Sequence, residues 1–201
     1  MSPEGLAPKR VVLLNPCKVQ GMLTIPRGVA RFLPRPAAAI LAAVAMLAAC
    51  SPTLNWREVR PEGTRLALLL PCKPDKAQKT VPLGGPATPL SMLGCDAGGA
   101  TFAVAVAQLG DAAQTAPVLA QWQSLTLANM KAGPAQVSPL KIPGAAVAVL
   151  VKAQGKRADG AVVEGQAVYF AQGSQAFQVV LYADRIAPEV AETFFSSLKL
   201  E

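Results

Sequence analysis

Apolar and polar positions alternate with changing period along residues 56–201, and each change marks an element. Trp56-Arg57-Glu58-Val59-Arg60 alternates apolar and polar side chains, the signature of a half-buried strand. Pro61-Glu62-Gly63 turns the chain. Arg65 to Leu70 (RLALLL) is a near-continuous apolar run, which predicts a strand inside a sheet, closed by Pro71-Cys72-Lys73-Pro74. A weaker, more polar strand is predicted over Ala77 to Leu83 and a return strand over Leu90 to Cys95, joined by Gly84-Gly85-Pro86. Asp96-Ala97-Gly98-Gly99 is a further turn, and Thr101 to Leu109 (TFAVAVAQL) is the next strand.

The period then lengthens. Val118, Leu119, Trp122, Leu125 and Ala128 recur at helical spacing within Ala116 to Met130, with Pro117 in the first turn and Lys131-Ala132-Gly133-Pro134 as the stop. Trp122 could serve as a platform for a ligand, but on such a stripe it reads first as a core aromatic. Period two returns over Ala145 to Ala153, Ala161 to Ala171 and Ala176 to Ala183, separated by Gly155 to Gly160 (GKRADG) and Gln172-Gly173-Ser174. Pro188 to Leu198 predicts a last helix, with Val190, Phe194 and Leu198 on one stripe and Phe195 beside it. The order is strands, helix, strands, helix. The fold class expected is α+β, an antiparallel β-sheet flanked by helices.

Upstream lies a different kind of segment. Pro36 to Ser51 (PAAAILAAVAMLAACS) is apolar, preceded by Arg27, Arg31 and Arg35 and ending in Leu47-Ala48-Ala49-Cys50. It falls short of the roughly 20 residues that span a bilayer. A buried helix and a retained membrane anchor are the other uses of such a run. A charged n-region, an apolar h-region and small residues at the cut describe a cleaved signal. With Cys50 first after the cut, the segment resembles the lipobox of bacterial lipoproteins. The resemblance implies removal of residues 1–49, lipid on Cys50 as the new N-terminus, and a short tether over residues 50–55. One acyl chain binds a membrane only marginally, so the several chains of a lipoprotein are what make the anchor stable. Ser51 stands where an Asp would signal retention, which implies outer-membrane sorting on the periplasmic side. Residues 1–21 carry Glu4, three prolines and Cys17 and fit a signal poorly, so the start expected is Met22.

Cleavage changes the charge. The full chain has 19 basic and 12 acidic residues, but Lys9, Arg10, Lys18, Arg27, Arg31 and Arg35 precede Cys50, with Glu4 the matching acid. Residues 50–201 therefore carry 13 basic and 11 acidic side chains. No basic cluster with interleaved aromatics is left, so a nucleic-acid partner is not expected. Residues 56–201 make one ordinary domain. Of the four cysteines, Cys17 is removed and Cys50 lipidated, which leaves Cys72 and Cys95. In an oxidising periplasm such a pair is most simply a disulfide. A hairpin centred near residue 86 would set Cys95 opposite about residue 77, a few positions from Cys72. The closed loop would contribute roughly 3 kcal/mol in the chain-entropy account. A redox-active pair would want CxxC spacing, which is absent.

The strand running into Pro71-Cys72-Lys73-Pro74, the mid-chain helix, a late three-strand meander and a terminal helix ending Phe194-Phe195-Ser196-Ser197-Leu198 resemble the PsbP-like superfamily over most of residues 56–200. That resemblance implies an α/β/α sandwich and a role in assembly or interaction. Related sequences often carry Gly where this chain has Cys72. The resemblance brings no catalytic residue.

Chemistry is sparse. There is no histidine, which removes Ser-His-Asp and Cys-His catalysis and His-ligated metals. GxSxG and P-loop motifs are absent. Asp159 and Glu164 flank a predicted turn and read as solvated. Neither an enzymatic role, a cofactor nor a metal is expected. Two readings remain: a membrane-tethered interaction or envelope-assembly module with an envelope protein partner, or a carrier of a small molecule or lipid in a sheet–helix crevice. The first predicts a closed core and an exposed patch; the second predicts a sizeable apolar cavity with a few polar groups.

Overall fold

The computed structural model describes residues 53–85 and 87–201. The leader, the Met22 start and the lipidation site Cys50 lie outside the described residues. The elements are β1 (Arg57–Val59), β2 (Leu66–Leu70), β3 (Asp75–Pro82), β4 (Ala87–Ala97), β5 (Ala100–Gln108), α1 (Thr115–Asn129), β6 (Gln136–Pro139), β7 (Ala148–Lys156), β8 (Val162–Gln172), β9 (Gln175–Ala183), α2 (Pro188–Ser196) and β10 (Lys199–Leu200). Seven strands form one sheet in the order β3-β4-β5-β9-β8-β7-β6, and β1-β2-β10 form a second. All these pairings are antiparallel, so the architecture is α+β and dominated by antiparallel sheet.

The two faces of the large sheet differ in side-chain size. On β5, Phe102, Val104 and Val106 face one side and Ala103, Ala105 and Ala107 the other, as the two-residue period of a strand requires. The large face is completed by Val168, Phe170, Phe177, Val179 and Leu181, and it packs on Leu66, Leu68 and Leu70 of β2 and Phe194 and Phe195 of α2. Phe102 sits edge-on to Trp56 and Phe194, with centroids 5.9 and 5.2 Å away. Phe170 and Phe177 are opposed in the β8–β9 register and stack at 4.8 Å. The Ser197 hydroxyl accepts from the Leu69 N–H at 2.9 Å and donates to the Phe194 carbonyl at 2.6 Å, which ties β2 to the end of α2. The small face is covered by α1 through Val118 and Trp122. The layers are therefore α1, the seven-stranded sheet, then α2 with the small sheet.

Four details differ from the sequence expectation. The β3–β4 hairpin pairs Asp75 with Gly94 and Pro82 with Ala87, so its turn centres between Gly84 and Gly85, both at positive φ, and not near residue 86. Cys95 therefore lies one step beyond Asp75, closer to Cys72 than a partner at residue 77 would allow. The two cysteines are bonded, with Cα atoms 6.0 Å apart, inside the usual span of a disulfide. The late meander has a fourth strand, β6, whose residues are all exposed and so carry no alternating pattern. β7 runs through Gly155 to Lys156, and the turn proper is Arg157 to Ala161, closed by Arg157 N–H to the Ala161 carbonyl at 2.8 Å. Finally, α2 stops at Ser196, two residues before the predicted end, and the chain re-enters a strand at Lys199.

Candidate functional site: a crevice between α1 and the sheet

The face beneath α1 is paved with small side chains, including Ala103, Ala105, Ala107, Ala167 and Ala176. A helix resting on alanines leaves space wherever its own side chains do not reach the sheet. At one end, α1 does reach it: Val118 and Trp122 are buried with Leu83. The chain just past its C-terminus is drawn down at Gly155 and Gly165. The Lys156 N–H donates to the Met130 carbonyl at 2.7 Å, and a Cβ on Gly155 would stand 2.3 Å from that oxygen. The Met130 methyl group lies 2.5 Å from where a Gly165 Cβ would be. Alongside Trp122, Leu125, Thr126 and Asn129 a crevice of about 570 Å³ opens over β3, β4, β5 and β9. That size falls within the range of small-ligand sites.

Its floor and walls are largely apolar, with Val81, Leu90, Met92, Ala105, Trp122 and Val163 among them. Leu125 lies a further turn along from Val118 and Trp122, lines the crevice and is 41% exposed. Thr101, Thr126, Asn129, Gln178 and Tyr182 are the uncharged polar side chains of the lining. Gln178 donates through Nε2 to the Thr126 hydroxyl at 2.7 Å and the Tyr169 hydroxyl at 3.0 Å, sewing α1 to β9 and β8. Thr126 in turn donates to the Trp122 carbonyl at 2.9 Å. Burial raises the Tyr169 phenol above its ordinary pKa, opposed by its bonds to Thr126 and Gln178. Tyr182 lines the crevice, and burial, with a smaller contribution from Tyr169, pushes its phenol far above the ordinary range. No hydrogen bond from a described residue offsets that burial. Both phenols are thus protonated donors at neutral pH.

Charge at the crevice has one sign. Lys79, Lys156 and Arg157 line it, and no carboxylate does. Arg157 pairs with the exposed Asp184 at 2.5 Å, just outside the lining. Lys79 makes no ion pair with any described residue.

The residues singled out from sequence divide accordingly. Cys72 and Cys95 belong to the opposite face, where Cys95 packs against the α2-side core. Asp159 accepts from the Ala161 N–H at 2.9 Å within its turn, and Glu164 accepts from the Ile186 N–H at 2.8 Å, so the two carboxylates serve separate backbone groups. Trp122 is both a core aromatic, 7% exposed, and a wall of the crevice. No group of three His, Cys, Asp or Glu side chains is arranged to hold a metal among the described residues. No helix among them is long and apolar enough to cross a membrane. The sequence offers a sheet–helix crevice as one alternative and Trp122 as a possible platform, but it names none of the other lining residues. The signal for the crevice was the alternation of alanines with Phe and Val on β5, which assigns the small residues to one face.

No family model and no curated protein matches the chain. Among solved structures, a protein of unknown function from Pseudomonas aeruginosa is similar at 18% identity over 64% of this chain and 82% of that one, with a TM-score of 0.32. A likeness at that score carries no argument about fold or role.

Proposed function

We propose that this chain is a bacterial envelope lipoprotein, held on the periplasmic side of the outer membrane by lipid on Cys50. Its domain, a PsbP-like α/β/α module, is non-catalytic and works as a carrier of a small molecule or lipid. One observation favours the carrier reading over a purely protein-binding module: the crevice under α1, where an apolar lining surrounds a few polar groups instead of a closed core. Extraction of the purified full chain followed by mass spectrometry tests it. A small molecule should co-purify with the wild type and be depleted in Ala105→Leu, which adds side-chain volume to the crevice floor. Equal recovery from both, or none from either, would refute the carrier reading.

The protein-interaction reading keeps one support of its own. Val137 and Val147 are 56% and 73% exposed; Val137 pairs with Val151 of the α1-side core, and Val147, just before β7, lines a second opening beside α1 with Leu119 and Val149. A photo-crosslinking residue at Val147 that captures one envelope protein in living cells would favour it. For the anchor, Cys50→Ala should leave the membrane fraction or stall as the precursor, and unchanged anchoring would contradict the lipobox reading.

A further inference from the structure

We propose that the crevice takes a single-chain anionic amphiphile of the fatty-acid class, with its chain along the apolar floor and its head at the cationic rim. This deepens the carrier reading and rests on it. Two features of the crevice select the ligand class. The first is charge. Lys79 on β3 stands toward one end of the crevice and Lys156 with Arg157 at the β7–β8 turn toward the other, with no acid in the lining. Beside an apolar wall the effective dielectric is below that of water, so one sign of charge favours an anion and penalises a cation.

The second is the scarcity of hydrogen-bonding groups. A peptide would bring an N–H and a carbonyl at each residue, and each must be satisfied when buried. The crevice has little to offer them: the Gln178 amide and the Thr126 hydroxyl are already bonded to one another and Thr101 donates to Asp96, which leaves the Asn129 amide and the Tyr182 phenol as uncharged polar side chains of the lining without a bond to a described residue. An alkyl chain makes no such demand. It needs apolar contact, and Val81, Leu90, Met92, Ala105 and Trp122 supply it. The head needs a cation or a donor, and the rim supplies both.

The chain has two tryptophans. Trp56 packs on Phe102 on the far face of the sheet, so Trp56→Phe leaves Trp122 as the sole reporter at the crevice. A brominated long-chain fatty acid added to that full-length variant should quench Trp122 fluorescence saturably. Two further methylenes should tighten binding by up to about fifteenfold, since full burial is worth about 0.8 kcal/mol each. Lys79→Gln/Lys156→Gln/Arg157→Gln should weaken the fatty acid by at least about tenfold, while binding of the matched brominated monoacylglycerol stays the same. Titration calorimetry on the wild-type chain gives the same comparison if Trp56→Phe does not fold. Equal binding of the neutral and anionic probes, or no effect of the triple variant, would overturn the charge assignment and leave the carrier reading standing. Saturation by neither probe would overturn both.

Discussion

At Gly155 the missing side chain matters more than any side chain around it. The Met130 carbonyl occupies the place of its Cβ, 2.3 Å away, and takes the Lys156 N–H. Composition alone makes Gly-Lys-Arg-Ala-Asp-Gly a turn, and only the helix end above it shows that the first glycine belongs to a strand. A glycine inside a strand often marks such a close approach, but the sequence does not say what approaches. Because the obstacle is backbone and not a flexible side chain, Gly155→Ala should destabilise the domain by about 1–3 kcal/mol, read from urea denaturation. It should also shift the Trp122 emission as the end of α1 lifts. An unchanged midpoint would mean that the contact is slack. Cys72 and Cys95 were more legible, because two cysteines remained once the leader was set aside. Their double replacement by Ser should cost roughly 3 kcal/mol. Reductant should then lower the wild-type denaturation midpoint while leaving the variant's unmoved.

The helices were legible as periods, but their environments were not. Val118, Leu119 and Trp122 of the predicted stripe do face the sheet, but Leu125 and Ala128 at its far end are exposed and Leu127 packs inward instead. Strand β6 was illegible for the converse reason: a short edge strand with every residue exposed needs no alternation. Packing differences between the two helices make a comparative test. Phe194 on α2 is fully enclosed among Phe102, Phe195 and the β2 leucines, whereas Trp122 borders the crevice. Truncation of a buried Phe or Trp to Ala costs about 3–5 kcal/mol. Phe194→Ala should fall at the upper end of that range. Trp122→Ala should fall at or below the lower end, because part of the space it leaves joins an existing opening. Equal losses in chemical denaturation would imply that α1 is as tightly seated as α2, against the crevice geometry.

At the scale of the whole domain, the first and last strands of the described segment meet on β2, and their charges form one cluster. β1 and β10 pair with opposite edges of β2, which brings Glu58 and Arg60 together with Lys199 and Glu201. Alternation along Trp56–Arg60 predicted the strand, but nothing local pointed to partners some 140 residues away. Hydrogen bonds from Arg60 and Lys199 hold the Glu201 carboxyl down at about 2, and Arg60 depresses Glu58. Both groups have folded pKa values below the ordinary carboxylate value of about 4.3. Their contribution is therefore fully present above that value and is lost as pH falls from there through about 2. These side chains are roughly half exposed, so solvent and salt screen them and the effect is small per pair. The melting temperature should decline as pH is lowered across that window in low salt. The decline should be shallower in about 1 M salt, where the screening length is near 3 Å, and also in Glu58→Gln/Glu201→Gln. A decline that neither salt nor the double variant alters would place the acid sensitivity elsewhere and leave β1 and β10 held to β2 by backbone pairing and apolar contact alone.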